Sequence, residues 1–430
     1  MRKIFTFLAG VFVCALVATG ALGQSQEINS ASQPDELAAT VASPSSAASS
    51  NLPALSNAQV AETIADAKQL LRSHAALTST SVTLAALDQE TSQINIFSVP
   101  KDSFLIKGAK LAATTQLGRS VLVNVISPNG VNTAVTVTDV ATGRQFIPLV
   151  VQYPIVKSGV MTEMAYYTSA HPALLSAEII SAGNSYVTTM LESAAKHLAD
   201  SGVSISRDII NIAEHLVIVE HTDHRRFLNE DRTKIYPEIL SLYALNQGDT
   251  FRYSVSSAGA GGMIQMIPRT YEGIRQQHPS IDLLSDFVSG MRNHANALEA
   301  MLLYVNDTWS YLQKHSEVQD ALRSGFASMP ELLAAGYNSN PMRLPLYLKN
   351  GGAGWRTLIP AETQMYLAIY SSVDSNVQFM SQAVQDVFAD DSQARITLTA
   401  SEQNPVAILI SWLSDELETR GRAALSSIAR

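Results

Sequence analysis

The 430-residue chain has one cysteine, Cys14, close to its start. That excludes a body held together by disulfides and excludes thiol catalysis there. Positive charge is also scarce: 29 Lys and Arg stand against 38 Asp and Glu, for a formal net charge of −9. Nucleic-acid binding and electrostatic docking on anionic lipid both need a basic face, so the balance argues against both. After Val17 no apolar run is long enough to span a membrane. There is no repeat of fixed period, no Gly-x-Ser-x-Gly nucleophile elbow and no His-Glu-x-x-His zinc motif. What remains is 46% hydrophobic and 16% charged, the balance of a globular protein with room for more than one domain.

Arg2 and Lys3 precede an uncharged apolar stretch, Ile4 to Val17, and Ala21-Leu22-Gly23 supplies small residues for cleavage before Gln24. This is the pattern of an export signal over residues 1–23, which predicts a periplasmic or secreted protein without an integral membrane span once the signal is removed. Residues 24–51, rich in Ser, Ala and Gln, read as a flexible linker. Leu55 to Leu77 carries Ala and Leu at helical spacing and predicts one amphipathic helix.

From Thr78 to about Val156 the texture changes to short β-branched runs: Ser81–Ala86, Ile94–Val99, Val121–Ile126, Thr133–Val137 and Ile147–Val151. Asn129-Gly130 predicts a tight hairpin between two of them. Residues 52–158 are therefore expected to be a helix plus a small antiparallel β domain, sandwich-like or barrel-like. From Gly159 onward the spacing predicts helices over Pro172–Leu198, Ser206–His221, Ile235–Leu245, Leu283–Lys314, Ser328–Ala335, Pro360–Val373 and Val406–Ile428. The fold class expected is α+β, with a mainly helical domain over 159–375 and a helical extension over 376–430.

The most informative stretch is Ser256 to Thr270. Three glycines and two alanines in the seven residues Ser256–Gly262 let a backbone approach something closely. Gln265 follows among apolar neighbours, and Pro268 opens a helix where its missing N–H costs little. Such a segment suits the wall of a groove with Gln265 as a hydrogen-bonding side chain. It equally suits a packed turn with Gln265 satisfied by backbone.

The segment resembles the Ser-x-x-Gly-Ala-x-Gly-Leu-Met-Gln-x-Met-Pro-x-Thr motif of the soluble lytic transglycosylase family. Ser256, Gly259, Ala260, Gly262, Gln265, Pro268 and Thr270 match it, and Met263-Ile264 replaces Leu-Met. Gly336-Tyr337-Asn338-Ser339-Asn340 looks like the family's Ala-Tyr-Asn-Ala-Gly block, and Pro360-Ala361-Glu362-Thr363-Gln364-Met365-Tyr366 like its Pro-x-Glu-Thr-x-x-Tyr. The three blocks occur in the family's order, and the resemblance covers roughly residues 209–370.

The resemblance implies a helical, lysozyme-like domain acting on peptidoglycan glycan strands. It would cleave the β-1,4 bond between N-acetylmuramic acid and N-acetylglucosamine, leaving a 1,6-anhydromuramic end, with one Glu as acid and then base. It implies no cofactor and no metal. In this scheme Gln265 hydrogen-bonds the glycan, Ser256 touches the sugar near the scissile bond, and Tyr337 reaches towards the acid/base carboxyl or the N-acetyl group. Asn338 orders the same loop, and Glu362 is a groove-side or structural carboxylate. For Tyr337 a packed core tyrosine is the competing reading.

The identity of the Glu is less direct. Counted back from Ser256 at the family's usual spacing, it falls on Gln247, which cannot transfer a proton in this way. Glu220 lies further upstream, with Ala213, Leu216 and Val217 at helical spacing before it. That places its carboxylate on an apolar stripe near a helix C-terminus, where desolvation and the carbonyl end of the helix raise a carboxyl pKa. Glu220 is therefore the expected acid/base, at the cost of an insertion before Ser256 that contains the Ile235–Leu245 helix. A structural pairing with Arg225 or Arg226 is the competing role for Glu220, and Glu230 and Glu238 are the alternative acids. Other readings are a non-catalytic glycan-binding scaffold, possible cell-envelope protein partners included, a hydrolytic muramidase, and a metal hydrolase using His221, Asp223 and His224.

Overall fold

The computed structural model describes residues 56–74 and 78–379. The expected export segment 1–23, the expected linker 24–51, the expected Val406–Ile428 helix and nearly all of the expected 376–430 extension lie outside the described residues. No helix among the described residues is long and apolar enough to cross a membrane. The fold is α+β: one helix, then a strand region, then a run of helices.

The first helix, α1 (Asn57–His74), turns its Val60, Ile64, Ala67 and Leu71 face inward. Seven antiparallel strands follow: β1 (Ser81–Asp88), β2 (Gln93–Pro100), then after the short α2 (Lys101–Phe104) β3 (Lys110–Thr114), β4 (Ser120–Ser127), β5 (Ala134–Asp139), β6 (Gln145–Lys157) and β7 (Val160–Tyr167). The order across the sheet is β2-β1-β6-β5-β4-β3, with β7 also paired to β6. β4 and β5 alternate buried and accessible residues, one face inward, as period-2 patterning requires. Residues 82–88 of β1 are buried throughout, because α1 covers its outer face while the sheet interior takes the other. Register shifts at Ala85/Ala86, Val125/Ser127 and Ile155/Val156 bend the strands. The curled sheet nearly closes on itself. Gln116, just beyond β3, bridges to β2: its backbone N–H donates to Ile96 O (2.9 Å) and its side chain to Ile94 O (3.1 Å).

Two expectations need correction. The strand region does not stop at 158: β7 pairs with β6 from Val151↔Tyr167 to Lys157↔Val160, so the chain is not yet helical after Gly159. The Asn129-Gly130 pair does not make a two-residue hairpin. Gly130 is left-handed at φ 54°, but Asn129 has a negative φ of −155° (ψ 58°), and the β4–β5 connection runs through a 3-10 turn at Gly130–Asn132.

The helical part comprises α3 (Ala177–Asp200), α4 (Arg207–Val219), α5 (His224–Asn229), α6 (Arg232–Asn246), α7 (Pro268–Gln277), α8 (Phe287–Arg292), α9 (His294–Leu312), α10 (Ser316–Arg323), α11 (Met329–Asn338), α12 (Leu344–Gly351) and α13 (Ala361–Asn376). Capping explains where expected helices begin or divide. Ser176 caps α3, so Pro172–Leu174 is a separate 3-10 turn. The long helix expected over Leu283–Lys314 is broken by Asn293, whose extended backbone and side-chain bond to Asn296 N–H start α9 anew. Ser328 and Glu331 form a capping box on α11.

One core runs through these helices, with α4 at its centre: Ile209, Ile212, Ala213, Leu216 and Val217 are all buried. α3 and α6 pack so closely that a Cβ on Gly183 would lie 1.8 Å from Leu240 O. The strand and helical parts share apolar contacts. Leu242 of α6 is buried in the barrel core, and Phe251 and Tyr253 pack against it. Asn246 and Thr168 exchange two hydrogen bonds of 2.8 Å, Thr168 N–H to Asn246 Oδ1 and Asn246 Nδ2 to Thr168 O.

Candidate active site

Glu220 caps the C-terminus of α4, in helical geometry at φ −60°, ψ −20°. Ser206 caps the other end of α4 and the apolar stripe fixes its rotation, so the carboxyl is delivered to the edge of the helical core. It retains partial solvent access, yet protein atoms crowd it. Burial pushes its pKa up to about 8, the nearby Glu362 charge pushes the same way, and a hydrogen bond from Tyr366 opposes them. Tyr366, buried on α13, donates its hydroxyl to Glu220 Oε1 at 2.6 Å. At neutral pH Glu220 is thus mainly a neutral acid, with one oxygen held and a proton to give from the other.

Of the residues singled out by sequence, Tyr337 and Glu362 interact electrostatically with this carboxyl. Tyr337, at the end of α11, donates to Ile264 O in the Gly-rich segment at 2.7 Å. Its own pKa stands well above the ordinary phenol value, through burial and the neighbouring Glu220 charge. Tyr304 of α9 meets the Tyr337 ring edge-on, with centroids 5.6 Å apart. Asn338 Oδ1 accepts from Thr363 Oγ1 at 2.8 Å and so ties the end of α11 to the start of α13. Glu362, beside Thr363, is exposed and acts on Glu220 by its charge. The next residue after Glu220 completes the ring: His221 Nε2–H donates to Met263 O at 3.0 Å, and its imidazole lies flat on Phe251, centroids 3.4 Å apart and planes 3° apart.

The Gly-rich segment is a compact, twice-bridged turn. Val255 pairs with Gly261 and Gly261 with Met266. Gly262, at φ 70°, has no room for a side chain, because a Cβ would lie 2.2 Å from Met291 O. Gln265 takes a left-handed φ of 45° without being glycine, and Phe251 does the same at 56°. Such backbone is costly and persists only where the surroundings impose it. Gln265 Nε2 donates to Gly262 O at 2.8 Å, so in this state the side chain is satisfied by local backbone. Ser256 is exposed, and its Oγ accepts from Ala260 N–H at 3.1 Å, shaping the turn.

The competing carboxylates are otherwise engaged. Arg226 pairs with Glu230 at 2.8 Å and with Glu238 at 2.7 Å, and is not the partner of Glu220. Gln247 is exposed beyond α6 at φ 47° and lines a cavity to which Glu220 does not contribute. His221, Asp223 and His224 do not converge as ligands. His221 is held neutral, with burial pushing its pKa down to about 3. Asp223 caps α5, and His224 points into solvent. Among the described residues no group of three or more His, Cys, Asp or Glu is arranged to hold a metal ion.

Sequence reasoning passed over Tyr366, Phe251 and His221 as structural parts of the site. Tyr366 closes the third block, but spacing alone does not say that its hydroxyl meets a residue so far away in the chain. Comparison with protein-family models, with curated proteins and with solved structures gave no match to this chain.

Proposed function

We propose that this chain is an exported peptidoglycan lytic transglycosylase, its helical part a lysozyme-like catalytic domain and Glu220 its acid/base. The observation that carries this reading is the neutral Glu220 carboxyl held by Tyr366, with Tyr337, beside the same carboxyl, joined to the Gly-rich segment at Ile264.

In this mechanism Glu220 gives its proton to the glycosidic oxygen as the bond to C1 of the muramic residue breaks. The substrate's N-acetyl oxygen stabilises the developing positive charge at C1. The C6 hydroxyl then attacks C1 while the Glu220 carboxylate takes its proton, closing the 1,6-anhydro ring and regenerating the acid. No water is consumed and no second carboxylate is needed as nucleophile. Burial favours the proton-carrying form at the start of the cycle, and the Tyr366 hydrogen bond supports the carboxylate once the proton has left. Gln265 would exchange its bond to Gly262 O for one to the glycan.

Purified sacculi digested with the protein and resolved by mass spectrometry test this reading. Anhydromuramic products, lighter by one water than reducing ends, are expected, and Glu220→Gln should abolish them. Reducing ends instead would make the protein a muramidase. Glycan binding without cleavage would make it a scaffold of the same fold.

A further inference from the structure

His221 directly follows the acid and joins it to the Gly-rich segment through two contacts that the mechanism leaves unused. Its Nε2 lies 3.0 Å from Met263 O, and a carbonyl can only accept, so Nε2 carries the hydrogen. The flat stack on Phe251 restrains the swing of the imidazole. Phe251 is itself held from behind. His294 Nε2–H donates to the neighbouring Thr250 O at 2.8 Å, and Thr250 Oγ1 donates to Leu242 O at 2.9 Å. Tyr243 meets the Phe251 ring edge-on, with centroids 5.4 Å apart.

The Gly-rich segment is pinned at successive carbonyls. His221 takes Met263 O, Tyr337 takes Ile264 O at 2.7 Å, and Gly261 N–H donates to Met266 O at 3.0 Å. Gln265 sits between the last two of these holds with its left-handed φ of 45°. Left-handed backbone outside glycine persists only where the surroundings impose it. Two such residues adjoin the His221 contacts: Phe251 is the ring beneath the imidazole, and Gln265 lies two residues beyond the carbonyl that it holds. A neutral imidazole suits this place, because it donates one hydrogen and brings no charge next to the acid.

We propose that His221 is a positioning residue: it fixes the Gly-rich segment against the helix end that carries Glu220, and so fixes where Gln265 meets the glycan. This rests on the glycan-cleaving reading. Proton transfer stays with Glu220, supported by Tyr366. Loss of the His221 hold therefore weakens glycan binding and leaves the titration of Glu220 in place, whereas loss of the Tyr366 hydroxyl moves that titration.

The test compares two substitutions in the full chain. His221→Phe keeps a ring on Phe251 and loses the donor, while His221→Gln returns a planar N–H with about the reach of Nε2. The net worth of a neutral hydrogen bond corresponds to a factor of about 2–10, so His221→Phe should raise KM on soluble glycan strands by about that much. The alkaline limb of its pH–rate profile should stay where it is, and amide hydrogen exchange in residues 256–266 should quicken. His221→Gln should recover most of both changes. Circular dichroism accompanies each variant. If His221→Phe does not fold, Phe251→Leu, which keeps the donor but removes its flat backing, carries the test with the same expected rise in KM and in exchange. Unchanged KM and exchange overturn the proposal, as does a shifted alkaline limb, which would make His221 a partner of the acid itself. Absence of cleavage by the wild-type protein would sink the glycan-cleaving reading separately, and the exchange of residues 256–266 would then decide whether His221 holds the segment.

Discussion

The Tyr366 hydroxyl lies 2.6 Å from Glu220 Oε1, while Glu362 acts on the same carboxyl only through its charge. The two neighbours push the Glu220 pKa in opposite directions, and this allows the acid to be tested without removing it. The Tyr366 bond favours the carboxylate, so Tyr366→Phe should move the alkaline limb of the cleavage profile to higher pH. Glu362 disfavours the carboxylate, so Glu362→Gln should move that limb lower. A pH–rate series on soluble glycan fragments checks both, and shifts of the same sign would contradict the assignment.

Glu220→Gln should lower turnover by about 10²–10⁴-fold while leaving glycan affinity nearly intact, because the amide keeps shape but cannot titrate. The measurement is kcat and KM on purified glycan strands.

The same substitution should alter stability in a pH-dependent way. The folded-state pKa of about 8 is above the ordinary 4.5, so the folded protein holds a proton that the unfolded chain releases. This contribution to stability is fully present below about pH 4.5 and is lost as pH rises towards 8. His221 and His294 work in the opposite sense at acid pH. Burial lowers their pKa values to about 3 and about 4, so stability due to them falls as pH drops below the ordinary 6.5. Urea unfolding of wild type and Glu220→Gln at pH 5 and pH 8 isolates the Glu220 part, and the variant should lose less between the two.

Gly262→Ala should destabilise the fold and the site together. Its Cβ would meet Met291 O at 2.2 Å, and its φ of 70° is unfavourable for any side chain. A loss of about 1–3 kcal/mol is expected, read as a drop in Tm.

Leu242→Ala should cost about 2–5 kcal/mol, as for a large side chain removed from a core. Leu242 belongs to α6 but is buried among barrel residues. For the same reason a chain beginning at Gly159 should fold poorly. It would keep β7 without its partner β6 and expose Leu242, Phe251 and Tyr253. Proteolysis and circular dichroism of that truncated chain check this.

Much of the helical part was legible because several helices carry local signals: Ser206 and Ser328 as caps of α4 and α11, Pro360 before the start of α13, and apolar residues at period 3.6 in α4 and α11. β3 and β7 were missed for a physical reason. Lys110–Thr114 and Val160–Tyr167 lack a β-branched run; each is held as a strand by pairing with the strand beside it in sequence, β3 with β4 and β7 with β6 across the left-handed Ser158-Gly159 turn. The position of Glu220 at the C-terminal end of α4 was legible from the helical spacing of Ala213, Leu216 and Val217 before it. Tyr366, His221 and Phe251 were not, because each acts through a partner fixed only by tertiary packing.

The residues between Glu220 and Ser256 have a further consequence. They hold α6, whose Leu242 fills the barrel and whose Asn246 clasps Thr168, and they end on Phe251, whose ring presses on His221. The stretch that looks like an interruption between acid and Gly-rich wall is therefore a coupling rod. Its α6 is anchored in the strands and its Phe251 bears on the neighbour of Glu220. Lengthening, shortening or regrafting either part of the molecule would have to preserve that linkage, because the strands and the neighbour of Glu220 are joined through it.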